Sequence, residues 1–190
     1  MRTLPAALRE RAIASVLGRR LLAGALAAGP ASHLLAPAPG DGCVALMRRW
    51  PRPRVAALHR DLGALAFAPA IRNEIGRDVV RRLKTALGNS YLLALDRTVW
   101  DGKVDAATAS RLEQELRGVF AAGDDIGPAL AAVLDRQGRA ELQAWTALRD
   151  VALGEWVRLL QAPDDLPPAH LPEKPVLVLH THHLNRAIAD

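Results

Sequence analysis

Residues 54–88 read RVAALHRDLGALAFAPAIRNEIGRDVVRRLKTALG, and this stretch decides the fold class. Its first part has apolar residues at spacings of three and four, namely Val55, Leu58, Leu62 and Leu65. Its second part has them every four positions, namely Ile71, Ile75, Val79, Leu83 and Leu87. Both spacings are typical of amphipathic α-helices. We therefore predict two helices, separated at Pro69, with Gly88 as the C-cap residue of the second.

The composition of the chain favours the same class. Of its 190 residues, 50% are hydrophobic and 24% are charged, which is the balance of a globular domain. Only 4% are aromatic, whereas β-sandwiches draw on aromatic and β-branched residues. We predict an all-α fold with a single multi-helix domain.

The rest of this domain is assigned from the same signals. Residues 1–28 are predicted as an N-terminal basic helix, residues 29–53 as a loop-rich connection and residues 54–162 as the helical core. Within the core we predict a helix capped by Asn89 or Ser90, and one capped by Asp105. Two more are predicted over residues 128–138, ending at Gly138, and over residues 139–160.

Residues 163–190 are predicted as a Pro-rich linker and C-terminal tail. Proline disfavours helix and favours an extended chain, and the prolines are Pro163, Pro167, Pro168, Pro172 and Pro175. The apolar residues 176–179 are suited to one short strand.

Charge is divided unevenly along the chain. The net charge of +5 arises from +10 over residues 1–100, with 16 basic and 6 acidic residues, and −5 over residues 101–190, with 9 and 14. Such a molecule is suited to an acidic partner at one end and a basic partner at the other. The alternative is an ordinary solvated surface with uneven charge.

Two features bear on location. The single cysteine, Cys43, has no partner for an internal disulfide, which fits a reducing cytosol. No apolar run approaches the roughly 18 to 20 residues that cross a bilayer. Arg19-Arg20 and the apolar residues 21–28 have the outline of a twin-arginine signal, but they continue the helical pattern of residues 4–28, and we favour the helix.

Histidines offer a candidate metal site. His180, His182 and His183 follow the apolar run, and alternate positions of a strand share a face that can hold a transition metal. Zinc sites need further ligands, and no Cys pair or HExxH spacing accompanies them. We predict a solvated His-rich tail and no metal or cofactor. The isolated histidines His33, His59 and His170 are predicted to be surface residues.

No catalytic residues are predicted. A nucleophilic serine or cysteine needs an adjacent base, and none of the candidates has that context: Ser15, Ser32, Ser90, Ser110 and Cys43. Asp124-Asp125 and Asp164-Asp165 lie beside glycine or proline and are predicted as turn and cap residues. The arginine-rich face from Arg72 to Lys84 is the best candidate for binding nucleic acid, although it lacks aromatic residues for stacking.

Residues 58–97 resemble the central segment of the SctK family, the YscK-like and OrgA/MxiK-like accessory proteins of bacterial type III secretion. The matching positions are Leu62-Gly63, Ala70-Ile71-Arg72, Leu83-Lys84, Ala86-Leu87-Gly88, Tyr91 and Ala94-Leu95. A later helix with Gly138-Arg139 and Trp145 is similar in order.

The resemblance implies a non-enzymatic adaptor at the cytoplasmic face of the secretion apparatus. Its implied partners are the sorting-platform pod protein and the cytoplasmic domain of the inner-membrane ring protein, with only indirect membrane contact and no small-molecule substrate. The alternative is a small basic helical nucleic-acid-binding protein. A third hypothesis, a metal-dependent enzyme using His180, His182 and His183, ranks last.

Overall fold

The computed structural model of the chain describes residues 5–28, 50–149, 154, 157–158 and 165–189. Nine helices are delimited within them and none of these residues lies in a strand, which confirms the all-α prediction. The helices are α1 (Ala6–Ala14), α2 (Val16–Ala27), α3 (Arg52–Ala66), α4 (Ala68–Asn73), α5 (Arg77–Leu87), α6 (Asn89–Leu95), α7 (Ala106–Ala121), α8 (Gly127–Arg149) and α9 (Glu173–Ala189).

Some predictions fall outside the described residues. They concern the loop over residues 29–42, the end of a helix near Leu160, and Ser32, His33, Cys43, Pro163 and Asp164. No helix in the described part of the chain is both long enough and apolar enough to cross a bilayer.

Helix α3 lies at the centre of the core. It begins after Pro51 with Pro53 in its first turn, where a missing backbone N–H leaves no hydrogen bond unmade. Leu58, Leu62 and Leu65 are fully buried, as their spacing predicts. The helix packs most extensively against α8 and also against α6 and α9, so its apolar face orders the rest of the fold.

The crossing of α3 and α8 depends on two glycines. A Cβ atom on Gly138 would lie 1.7 Å from the carbonyl oxygen of His59, and one on Gly63 would lie 2.0 Å from that of Leu134. The prediction that Gly138 ends a helix is therefore wrong, because α8 continues through it to Arg149. Glycine is needed here because the two backbones touch.

The predicted continuous helix over residues 71–87 is interrupted. Helix α4 ends at Asn73 and α5 begins at Arg77, and the intervening Ile75 is 94% exposed. Gly76 has an extended backbone, and glycine inside a helix costs about 1 kcal/mol relative to alanine. The four-residue spacing of apolar residues therefore spans two separate helices.

Arg72 holds α4 against the end of α6 and the loop that follows it. Its guanidinium donates hydrogen bonds of 2.8–3.3 Å to four backbone carbonyls, those of Ala94, Asp96, Trp100 and Asp101. These carbonyls include the unpaired groups at a helix C-terminus, which a cation stabilises. Arg72 is thus a partly buried structural residue, and its guanidinium is occupied by backbone carbonyls.

The capping predictions have different outcomes. Gly88 ends α5 with a φ of +54°, which confirms it as the C-cap residue. The same glycine precedes α6, so the prediction that Asn89 or Ser90 caps this helix is wrong. Asp105 caps α7, as predicted, by accepting a 2.9 Å hydrogen bond from the backbone N–H of Thr108.

The C-terminal segment differs most from its prediction. Residues 165–172 lie in no helix or strand, but residues 176–179 lie in α9 and form no strand. Pro175 lies in the first turn of this helix, where proline is tolerated. Val176 and Leu179 are buried, and α9 packs on α3 and α8. The segment is part of the folded body instead of a free tail.

The N-terminal residues form two helices in place of the predicted single one. Ser15 has an extended backbone between α1 and α2, and its hydroxyl oxygen accepts a 2.9 Å hydrogen bond from the N–H of Gly18. The two helices pack together so closely that a Cβ on Gly18 would lie 2.2 Å from the carbonyl oxygen of Ala12.

Candidate functional site

The histidines of the C-terminal segment lie on a helix, and this changes which of them share a face. His180 and His183, three residues apart, are 0% and 5% exposed, whereas His182 is exposed to solvent. The prediction of a solvated His-rich tail is therefore wrong. No group of three or more potential metal ligands forms among the described residues.

His180 lies between two tryptophans. Its ring is stacked on Trp50 with centroids 5.3 Å apart, and it packs against Trp145 at 5.1 Å. Arg54 and Arg149 lie over these two indoles, at 5.8 and 5.7 Å from the ring centroids. Neither ring nitrogen of His180 has a hydrogen-bond partner within the described part of the chain. Burial, with the nearby positive charge of His183, lowers the pKa of His180 to about 4.

This lowered pKa predicts acid-sensitive folding. A histidine with a pKa near 6.5 in the unfolded chain and about 4 in the fold loses its contribution to stability as pH falls from 6.5 to 4. At pH 5 the loss is about 2 kcal/mol. We expect His180→Phe to be more stable than the parent at pH 7.5 and to lose less stability between pH 7.5 and 5.0. Urea unfolding of both proteins at both pH values measures this. If the parent and His180→Phe lose equal stability between pH 7.5 and pH 5.0, the prediction is contradicted.

His183 belongs to a second polar cluster. Its Nε2 lies 2.9 Å from Oδ2 of Asp61, and the Ser90 hydroxyl donates a 2.6 Å hydrogen bond to Oδ1 of the same carboxylate. Burial opposes ionisation of Asp61, but the hydrogen bonds from His183 and Ser90 prevail and hold its pKa below the usual range. The aspartate lies between serine and histidine, so His183 does not contact the hydroxyl as a nucleophile's base must. The cluster connects α3, α6 and α9.

Glu141 is the centre of a third cluster, and it is 2% exposed. Its carboxylate accepts hydrogen bonds of 2.9–3.1 Å from the backbone N–H groups of His170 and Leu171, and one of 2.6 Å from the Gln137 side chain. Gln137 also donates to the carbonyl of Pro168 at 3.1 Å. The buried carboxylate thus accepts hydrogen bonds from backbone N–H groups of a Pro-rich segment, which forms no helix in which these groups could pair.

We call residues 165–172 the strap, since several side chains of α8 hold this segment. Arg136 donates to the carbonyl of Asp165 at 2.6 Å, and Arg149 pairs with Glu173 just beyond the strap. The Nε2 of His170 lies 3.1 Å from the carbonyl oxygen of Ala66 on α3. Arg136, Gln137 and Glu141 of α8 therefore hold a segment that its sequence predicted to be a linker.

Two histidines predicted at the surface are in the core. His59 is 8% exposed, and burial together with Arg139 lowers its pKa to about 4. The His170 side chain is 10% exposed. Both face the junction of α3 with α8 and the strap, so their prediction as surface residues is wrong.

The remaining candidates have local structural contacts. Ser15 bonds within the turn between α1 and α2, and Asp125 accepts a 3.0 Å hydrogen bond from the N–H of Gly127, as a turn residue does. A cavity of about 360 Å³ lies between basic residues of α5 and acidic residues of the loop before α8, and another of about 230 Å³ lies beside Trp145. Neither cavity is lined by the Ser90–Asp61–His183 cluster.

The arginine-rich face proposed for nucleic acid is only partly available. Arg72 is directed into the fold, and Arg82 donates to the carbonyl of Gly123. Lys84 lies 5.6 Å from the ring centroid of Tyr91, and Arg81 pairs with Asp78 at 3.6 Å. These contacts occupy Arg72 and Arg82, whereas Arg77, Arg81 and Lys84 remain exposed to solvent.

In the described part of the chain, most of the large exposed apolar side chains lie in two places. On the body, Ile75 is 94% exposed, Leu92 67% and Leu95 40%. Leu92 and Leu95 lie on α6, which packs against α4, and Ile75 lies two residues after the end of α4. We name these three residues the Ile75 surface. The other place is the N-terminal pair, where residues of both α1 and α2 are exposed. Several large apolar side chains exposed in one region are typical of protein or membrane contacts.

A scan against models of protein families, a search of curated proteins and a search of solved structures find no match to this chain. The SctK resemblance therefore remains a prediction. Most positions that carry it are buried, among them Leu62, Ile71, Leu83, Tyr91 and Ala94. Leu95 is an exception, because it belongs to the Ile75 surface.

Sequence reasoning missed Glu141, although a signal for it is present. Leu134, Gly138, Glu141 and Trp145 follow one another at spacings of three and four on α8, and all four are buried. An acidic residue at a helical spacing between buried residues indicates a carboxylate with internal partners. The partners themselves, two backbone amides of the strap, have no signal in the sequence.

Proposed function

We propose that this chain is a non-enzymatic adaptor that acts through protein–protein contacts. The observation that carries the proposal is the Ile75 surface, because it exposes three large aliphatic side chains: Leu92 and Leu95 on α6, and Ile75 in the segment that follows α4. Hydrogen bonds from Arg72 hold α4 to the end of α6. Burial of an exposed isoleucine and two exposed leucines against a partner makes a favourable contribution to the free energy of binding. The opposite charges of the two halves of the chain support two partners with different surfaces.

The proposed setting is the type III secretion apparatus, which rests on the resemblance of residues 58–97 to the SctK family. The proposed partners are the pod protein of the sorting platform and the cytoplasmic domain of the inner-membrane ring protein. Asp61, Glu141 and His183 form hydrogen bonds that hold the elements of the fold together. A structural role for these groups is compatible with a protein that acts by binding.

Capture of these two partners tests the proposal. We expect a functional tagged chain, expressed in a type III secretion host, to recover the pod and ring components. The double variant Ile75→Ser, Leu92→Ser should reduce the capture of at least one of them about tenfold or more, because burial of each side chain contributes about 1.5–3 kcal/mol. Both side chains are exposed, so the thermal midpoint should remain that of the parent.

Leu148→Ser is the matched control, because Leu148 is 90% exposed and lies on α8, outside the Ile75 surface. It should leave capture unchanged. Recovery of neither component from a functional tagged strain would exclude the adaptor proposal, and equal capture by the double variant would exclude the Ile75 surface as its site.

A further inference from the structure

The N-terminal helices carry the largest group of exposed apolar side chains. Five aliphatic residues of α1 and α2 are between 51% and 68% exposed: Leu8, Ile13, Val16, Leu17 and Leu21. Leu17 and Leu21 lie one turn apart on α2 and therefore share a face, while Gly18 on another face is buried against α1. The apolar face is thus directed away from the packing between the two helices.

Positive charge surrounds this apolar face. Residues 1–28 contain five arginines and a single acidic residue, Glu10, and they contain no aromatic residue. The exposed Arg11 and Arg20 lie three residues after Leu8 and Leu17, on the same faces of their helices. Arg19 is also exposed, but it donates a 3.3 Å hydrogen bond to the Ile13 carbonyl of α1. Aliphatic side chains bordered by arginine on a short helix are typical of segments that lie in the surface of an anionic bilayer.

We propose that α1 and α2 bind the surface of an anionic phospholipid bilayer, with Leu17 and Leu21 inserted among the headgroups and Arg11 and Arg20 paired with lipid phosphates. The contact lies along the surface, because neither helix is long enough to cross a bilayer. Each arginine near an anionic leaflet strengthens binding about fivefold. This inference goes beyond the adaptor role and does not depend on it.

A bilayer fits this surface better than a protein partner does. The charge of this segment favours the bilayer, because residues 1–28 contain five arginines and one acidic residue. Five aliphatic side chains protrude between these charges. A fluid apolar layer needs no shape complementarity, and its phosphates complement the arginines. Nucleic acid would leave Leu17 and Leu21 in water.

Vesicle co-sedimentation of the full chain tests the proposal. We expect the chain to pellet with vesicles containing phosphatidylglycerol, to stay in the supernatant with pure phosphatidylcholine vesicles, and to release as salt is raised. Leu17→Ser with Leu21→Ser should weaken binding about tenfold or more, since each side chain inserts apolar surface. Arg11→Glu with Arg20→Glu should do the same by charge reversal.

The matched control is Arg77→Glu with Arg81→Glu, which makes the same change in net charge on α5. Both side chains are exposed, so this variant should pellet like the parent, and circular dichroism should confirm that every variant is folded. The proposal is overturned if the chain does not pellet with the anionic vesicles, or if the α5 variant loses as much binding as the variants of α1 and α2. It is also overturned if Leu17→Ser with Leu21→Ser abolishes a dimer and leaves vesicle binding intact, which would place a second copy on this face.

Discussion

Gly138→Ala is expected to lower the free energy of unfolding by about 4 kcal/mol or more, or to prevent folding. The added Cβ would lie 1.7 Å from the backbone carbonyl oxygen of His59, and no side-chain rotation relieves a contact with backbone. Helices α3 and α8 must then separate along the most extensive contact of the core. Urea unfolding followed by circular dichroism measures the loss.

Gly118→Ala is the matched control for this prediction. Gly118 lies in α7, and no atom lies within 4 Å of the position that its Cβ would occupy. Alanine should therefore stabilise α7 by about 0.5–1 kcal/mol through helix propensity. Gly63→Ala should resemble Gly138→Ala, since its Cβ would meet the Leu134 carbonyl. If the Gly138→Ala protein is as stable as the parent, close contact between the backbones of α3 and α8 at Gly138 is refuted.

Glu141→Ala should reduce the free energy of unfolding by about 3 kcal/mol. The substitution removes the acceptor for the N–H groups of His170 and Leu171 and for the Gln137 amide, all within the body of the protein. The strap should then detach more readily from α8. Amide hydrogen exchange at His170 and Leu171 should accelerate at least as strongly as the global stability falls, because the N–H groups of these residues lose their acceptor.

Glu113→Ala provides the comparison for Glu141→Ala. Glu113 pairs with Arg117 at 3.4 Å on α7, and both side chains reach solvent. Exposed ion pairs contribute about 0.5 kcal/mol or less, so this variant should unfold near the parent's urea midpoint. If the two glutamate variants lose equal stability, or if exchange at His170 and Leu171 is unchanged, the strap is not held by Glu141.

Local signals were sufficient for the helices of the core and for part of their caps. Leu58, Leu62 and Leu65 are buried because one face of a helix recurs every 3.6 residues, and Gly88 takes the positive φ that its position predicts. Gly138 was predicted wrongly because glycine at a helix end and glycine at a helix crossing look alike in sequence. Only the approach of α3, about 75 residues earlier, distinguishes them.

The C-terminal segment could not be predicted for a related reason. A short apolar run such as residues 176–179 fits a buried strand and a buried helix equally well. The choice is made by packing, since a helix directs Val176, Leu179 and His180 together onto α3 and α8. The polar clusters could not be predicted either, because their members lie far apart in the sequence and only the fold brings them together.

The bond between Asp61 and His183 joins residues 122 positions apart, and that between Ala66 and His170 joins residues 104 apart. Contacts of this sequence separation slow folding, because a long loop must close before they form. During synthesis, α3 must wait for more than a hundred further residues before its buried face is fully covered. Until residue 180 has been added, Trp50 and Trp145 lack the imidazole ring that packs against both of them, so the incomplete chain exposes apolar surface that favours aggregation.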